Sequence, residues 1–596
     1  MSRKDWDRFM EWMIQWTDKK KEKVAVGLAV LLCFIVHLLT STQFTGWFSG
    51  DVYGYLSHAA TFTGRNWSGV LRNASSFYSW GYSALLAIPM AFSSNIITVY
   101  RVAMLFNVLI SCGVLLLCYS IAKMLAQDVN KYLLLLCATA VSLYTSYIFQ
   151  GAVMLSEMWL YFFVLLSIYF VLKYLKTYAI RWGICAGLAV GYTYIIHNRS
   201  LAVVIAYAIV VLARSIRQKD WKSLLILLLP LAFMLALNQG VLQYLNVHEK
   251  QGRSYTYNTY ASQAQNVGSK VNFYFLISGI QCILGEIWYA IIGSFGIVLI
   301  GICSGIKTYI KEKKEKNDLK YFYVFVGLAL VGTEMVSVLD LALAKVPLDT
   351  LRYDVYIYGR YWETVFAFFL LLGMIECCRG IERKTWIAII SGSVVLSVFV
   401  EYMTRIYQNN AFNYWAIPAV LLPYFSTQNR FTVMQSSIVG ITFMIFIAVI
   451  YYNYKKMGKI ALIGIWTGMC VFSGYNANYH VAELYKDTPN VINMPLYETQ
   501  FQVACDYLSE NGIEEFAVCA TDGYRAVAFQ IKFMEAKVTG ITEGELDEIE
   551  SGKTYVVDKM AWAEPMEGTV LYENENYYII SCLLYTSPSP RDGLLS

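Results

Sequence analysis

Long apolar runs separated by short charged segments dominate the pattern. They fall near residues 24–44, 98–122, 132–149, 153–172, 182–196, 200–213, 223–243, 276–303, 321–340, 362–378, 385–402, 433–452 and 460–474. A helix needs roughly 20 apolar residues to cross a bilayer, so the pattern predicts about 13 transmembrane helices. Beyond residue 480 the pattern changes. ETQFQVACDYLSENG reads as a helix closed by Gly512, and FAVCA, KTYVVDK and NYYII read as short strands. The expected fold class is a polytopic α-helical membrane protein with a C-terminal extracytoplasmic α/β domain.

Composition and charge sharpen this. The chain of 596 residues is 57% hydrophobic and only 15% charged, against roughly 25% charged in soluble domains. Residues 481–580 hold 19 acidic and 6 basic side chains, whereas 1–480 hold 22 and 40. The segments expected inside (1–23, 123–131, 173–181, 214–222, 307–320, 379–384 and 455–459) hold 28 Lys and Arg, against 11 outside. This asymmetry predicts a cytoplasmic N-terminus, a multi-pass cell-membrane location and an acidic domain on the outer side. The predicted domains are an interfacial helix over 1–23, with Trp6, Trp12 and Trp16 among its charges, a membrane body over 24–480 that includes an outer loop 45–97, and an outer α/β domain over 481–581. Cys582–Asp592, CLLYTSPSPRD, resembles translated read-through of a sequencing adapter, so 582–596 is expected to be a non-native tail. Cys505 and Cys519 are not expected to bridge, and no metal-ligand spacing occurs.

The large outer loops, 45–97, 244–275, 341–361 and 403–432, collect the unusual polar residues. In SGDVYGYLSHAATF, Asp51, Tyr55 and His58 stand at i, i+4 and i+7, on one face of a helix lying at the membrane surface. An acid there also suits a helix N-cap. A second short apolar helix with Pro89 inside follows. Glu157, Glu286, Glu334 and Asp340 fall within apolar runs, where an ionisable side chain is a functional suspect.

An acid after the first span in the setting GD-x-x-x-Y-x-x-x-A, then WGY at Trp80–Tyr82 and VYRVAMLFNVL, resembles the GT-C superfamily of polyprenyl-phosphate-sugar glycosyltransferases. LSEMWLYFFVLLSIY at Leu155–Tyr169 and YGRYWE at Tyr358–Glu363 extend the likeness over nearly the whole chain. It is closest to bacterial relatives of protein mannosyltransferases and aminoarabinose transferases. The resemblance implies an inverting hexosyl- or pentosyltransferase of the cell envelope. Its partners would be a polyprenyl-phosphate-linked sugar, an extracytoplasmic glycan, lipid or protein acceptor, and the bilayer, with no nucleic acid. It also implies that Asp51 is the catalytic base. Many relatives carry a second acid where this chain has Val52, which leaves a divalent metal unsupported and no cofactor expected.

Elementary chemistry adds candidates. A lipid-phosphate leaving group needs cationic donors at the outer face, and outer arginines are few: Arg360, Arg352 and Arg199 stand at span edges. Arg352, Tyr356, Arg360 and Glu363 are expected on one helical face. Tyr55, His58, Glu157, Tyr361 and Glu363 are the expected substrate contacts. Tyr255, Tyr257 and Tyr260 are candidates to stack on a sugar, and Lys270 and Arg253 are weaker cationic candidates. The alternatives are a lipid-linked glycan polymerase or ligase, which would want an arginine-rich outer loop, and a lipid-sugar flippase or transporter, which would want internal repeats.

Overall fold

The computed structural model describes residues 18–44, 48, 50–70, 78–249, 273–344, 353–405, 416–421, 432–453, 459–481, 496, 498–520, 523–541, 552–560 and 568–581. The chain divides into two compact units. One comprises residues 1–44, 104–237 and 264–487; the other comprises 45–103, 238–263 and 488–596. The first outer loop thus groups with the C-terminal domain.

The first unit is a helix bundle. Among the described residues ten helices are long and apolar enough to cross a membrane, or eleven if Lys131–Ser142 and Thr145–Gly151, bent by 56°, make one span. The difference from 13 has local causes. Ile180–Ile196 and Glu363–Arg379 have only 17 residues each. With the bent pair these account for the three missing spans; separately, the run expected over 276–303 is two helices, Phe273–Gly293 and Ile297–Lys314. Between them Phe295 and Gly296 take left-handed backbone (φ 52° and 79°), and the Ser294 hydroxyl accepts the Val298 N–H in the first turn of the second helix.

Side chains that face outward from this unit are those a lipid surround accepts: Leu28, Leu225, Leu229, Val395 and Val398 are exposed. Inside, packing relies on small residues, as expected where lipid gives helices no hydrophobic reason to associate. A Cβ on Gly301 would lie 1.8 Å from the Phe369 carbonyl oxygen, and one on Gly373 would lie 2.0 Å from that of Ile297. Helices Ile297–Lys314 and Glu363–Arg379 can approach this closely only because both positions are glycine. Asn107 is a buried polar group satisfied by other segments: it donates to the Val153 carbonyl (3.0 Å) and accepts from Trp159 Nε1 (2.9 Å).

The second unit contains a five-stranded sheet of β1 (Glu515–Cys519), β2 (Lys537–Ile541), β3 (Thr554–Asp558), β4 (Thr569–Glu573) and β5 (Tyr577–Ser581), in the order β2-β1-β3-β5-β4. β1 pairs in parallel with β2 and β3, while β5 runs antiparallel to β3 and β4. The expected helix is Thr499–Glu510, closed by Gly512 at φ 64°. β1, β3 and β5 are the three expected strands. β2, β4 and helix Gly523–Lys532 were not expected. Cys505 and Cys519 are buried free thiols.

This domain is fixed to the first loop by a small set of contacts. Trp67, 1% exposed, donates from Nε1 to the Met534 carbonyl (3.0 Å) and stacks on Tyr53. Arg65 reaches Glu535 through Nε (2.9 Å) and Nη2 (2.5 Å), and the Ser94 hydroxyl donates to the same oxygen (2.6 Å). The Ser94 hydroxyl, with the Arg65 guanidinium, holds the Glu535 carboxyl below the usual range, against the opposing effect of burial. The exposed ion pair contributes at most about 1 kcal/mol, so Trp67 is the stronger tie. Trp67→Ala is expected to lower the stability of this unit by about 3–5 kcal/mol. Limited proteolysis should then cut between residues 482 and 581 at least tenfold faster, and unchanged cleavage would show that the indole contributes little.

Candidate functional site

Two clusters, one in each unit, hold most of the sequence candidates. In the second unit Asp51 lies in the first turn of helix Gly50–Phe62, half-buried. The Tyr78 hydroxyl donates to its Oδ1 at 3.0 Å. Tyr78 precedes helix Trp80–Phe92, and its ring lies over Gly54, where a Cβ would come within 2.2 Å of the ring. Any larger residue at 54 would displace the tyrosine and, with it, the donor to Asp51. Tyr55, 2% exposed, meets Tyr78 and Tyr82 edge-on, both at 5.3 Å.

His58 is fully buried with both ring nitrogens engaged. Nδ1 is 2.7 Å from Glu249 Oε1, and Nε2 is 3.1 Å from the Tyr78 carbonyl oxygen. Thr61 also donates to Glu249 (3.0 Å), and Glu249 ends helix Trp221–Glu249 at 2% exposure. His58 therefore has no exposed surface, and its ring is held between Glu249 and the Tyr78 backbone. Tyr78 and Glu249 were missed in the sequence. Tyr78 stands two residues before the WGY segment at Trp80–Tyr82, but nothing local marks it. Glu249 is 191 residues from His58, and no spacing rule links them.

In the first unit Glu157 opens helix Glu157–Thr177 and is fully buried. Its Oε1 accepts from Arg199 Nη2 (3.2 Å) and Arg360 Nε (2.7 Å), with Arg360 Nη2 also in contact. The Arg360 backbone N–H donates to the Ala416 carbonyl (3.1 Å). The Arg199 guanidinium lies over the Tyr361 ring at 4.8 Å. Both guanidinium groups thus meet the Glu157 carboxylate. Among the described residues Arg199 Nε and Nη1 and Glu157 Oε2 have no hydrogen-bond partner although buried. Unpaired guanidinium donors in an apolar body are costly and suit an oxyanion.

Glu363 is near Arg360 in sequence but is engaged elsewhere. It accepts from the hydroxyls of Ser146, Tyr289 and, at 3.4 Å, Tyr161, while Tyr147 donates to its backbone carbonyl (3.0 Å). The expected helical face through Arg352, Tyr356, Arg360 and Glu363 is not formed. A 3₁₀ turn, Tyr353–Ile357, is followed by a turn, and the helix starts only at Glu363. Arg360 has given its N–H to Ala416, which a continuous helix would forbid. Arg352, Lys270, Arg253, Tyr255, Tyr257 and Tyr260 lie outside the described residues, as do Trp6, Trp12 and Trp16 and the tail 582–596. Of the other buried acids, Glu286 accepts from Ser337 (2.6 Å), and Asp340 lies near the end of helix Leu319–Ala344. Among the described residues no three His, Cys, Asp or Glu side chains are grouped to hold a metal.

No family profile and no curated protein sequence matches the chain. Solved structures do. ArnT from Cupriavidus metallidurans in the apo state aligns at TM-score 0.51 and 10% identity, over 94% of this chain and 98% of that one. The same protein bound to undecaprenyl phosphate aligns at 0.49 and 10%, over 95% and 98%. The Archaeoglobus fulgidus oligosaccharyltransferase in the apo form aligns at 0.43 and 10%, over 91% and 70%. At such identity the likeness is one of fold, carried by the apo ArnT alignment across nearly the full length of both chains. The chain is a multi-pass membrane protein that shares the fold of apo ArnT.

Proposed function

We propose that this protein is an inverting glycosyltransferase that moves a hexosyl or pentosyl group from a polyprenyl-phosphate donor to an extracytoplasmic acceptor at the outer membrane face. The observation that carries the reading is the buried pair Arg199 and Arg360 on Glu157, with Arg199 Nε and Nη1 left without a hydrogen-bond partner among the described residues. A lipid phosphate is an oxyanion able to reach such a place in the membrane body. Charge on it grows as the bond to the anomeric carbon breaks, so preorganised N–H donors stabilise the transition state more than the ground state. Glu157 keeps the two guanidinium groups from repelling each other and fixes their orientation. Tyr361 supports Arg199 from its ring face.

The proposed base is Asp51. It takes the proton of the acceptor hydroxyl as the oxygen attacks the anomeric carbon from the face opposite the phosphate. The C–O bond to phosphate breaks with its electron pair, leaving polyprenyl phosphate and the inverted glycoside. A positioned carboxylate contributes about 10²–10⁴-fold to such a step.

Three outcomes follow, with activity read as undecaprenyl phosphate released in nanodiscs from a panel of undecaprenyl-phosphate hexoses and pentoses, with glycan, lipid or peptide acceptors. Asp51→Asn keeps size and capping ability but cannot take a proton, so the rate should fall by at least ~10² with undecaprenyl-phosphate binding retained. Full activity would remove Asp51 from the mechanism. Arg360→Lys should lose at least ~10-fold, because an ammonium cannot reproduce the planar fork that meets both Glu157 and an oxyanion; undiminished turnover would leave Arg360 a purely structural ion-pair partner. A cysteine placed at Met560, which is 80% exposed, should react with an impermeant reagent on intact cells. Reaction only after permeabilisation would reverse the orientation and the outer-face assignment with it.

A further inference from the structure

Behind Asp51 lies a hydrogen-bonded series that the proposed chemistry does not itself require. It runs from Asp51 Oδ1 to the Tyr78 hydroxyl (3.0 Å), through Tyr78 to its backbone carbonyl, on to His58 Nε2 (3.1 Å), and from His58 Nδ1 to Glu249 Oε1 (2.7 Å). His58 and Glu249 are 0% and 2% exposed. A buried His–Glu pair is expensive in a loop that could be closed by apolar residues, so its retention calls for a use.

Proton counting shows what that use is. A peptide carbonyl can only accept, so His58 Nε2 must carry a hydrogen. Nδ1 and Glu249 Oε1 then share a proton, whichever of the two holds it. Glu249 thereby fixes the ring, just as a carboxylate behind an imidazole fixes its orientation in other settings. The ring in turn pins the backbone of Tyr78 at the one point from which its phenol reaches Asp51. Gly54 leaves the space for that ring, and Tyr55 closes its edge. The four residues are spread over positions 51–249, so the arrangement survives only if the end of helix Trp221–Glu249 stays docked on helix Gly50–Phe62.

We propose that Tyr78, His58 and Glu249 are positioning residues that fix the carboxylate of Asp51 for proton abstraction, with Tyr78 as the element in direct contact. The inference rests on Asp51 being the base.

The test uses the full-length protein in nanodiscs, with the undecaprenyl-phosphate hexose and pentose panel for turnover and undecaprenyl phosphate alone for binding. Tyr78→Phe removes one hydroxyl oxygen and leaves the ring packed. It should lower kcat about 10-fold or more while the affinity for undecaprenyl phosphate stays within about twofold. His58→Phe should do the same, and the double variant should lose little beyond the larger single loss, since both act through one contact. Glu249→Gln should recover most of the rate lost in Glu249→Ala, because its amide can donate to Nδ1 and leave the hydrogen on Nε2. Nitrogen-15 spectra of labelled histidine give a ligand-free reading: His58 Nε2 should be protonated at neutral pH. Wild-type kcat in Tyr78→Phe, or a bare Nε2, overturns the inference. Tyr78→Phe at wild-type rate beside an inactive Asp51→Asn sinks the positioning role alone, whereas a fully active Asp51→Asn sinks the underlying assignment of the base.

Discussion

The membrane body is organised by the need to keep two arginines charged where there is little water. Arg199 and Arg360 are each more than nine-tenths buried, and Glu157 is the carboxylate between them. Removing one partner of such a cluster typically costs about 3–5 kcal/mol, because a charge is left in low dielectric. Glu157 is also at the start of its helix, where the backbone dipole favours a negative charge. The irregular backbone around Arg360 follows from the same requirement. A residue in mid-helix could not deliver its guanidinium to Glu157 and its N–H to Ala416 at once. Non-helical chain is tolerated at membrane depth only where its backbone groups are satisfied in this way.

Much of the architecture was legible because lipid imposes simple rules. Apolar length located most spans, and the helix through Asp51, Tyr55 and His58 followed from a spacing of three and four. What failed was what depends on contacts distant in sequence. The single helical face through Arg352 and Glu363 assumed that backbone hydrogen bonds stay local. The run at 276–303 reads as one apolar segment, and only the left-handed pair Phe295–Gly296 divides it. β4, TVLYE, is largely exposed at the sheet edge and lacks the alternation of a half-buried strand, while β2 carries a glycine next to its last residue. Tyr78 and Glu249 gain meaning only from where the chain brings them.

Under the proposed function, the environments of the three acids suit them to different roles. Glu157 is committed to two guanidinium groups, so a proton taken there would break the pairing that orients both arginines. Glu363 is enclosed by hydroxyls from Ser146, Tyr161 and Tyr289 and has no exposed surface. An acceptor alcohol would have to displace one of those donors to reach it. Asp51 differs in being only half-buried, at the start of a helix whose residues 52–60 are buried rather than spread on a surface, with a phenol donating to one oxygen. A base needs access to its substrate and a defined orientation together, and a carboxylate with no exposed surface lacks the first. On that ground the proposed division of labour gives proton abstraction to Asp51, the electrostatics of the phosphate to Arg199 and Arg360, and to Glu157 and Glu363 the task of holding the helix ends and turns that present them.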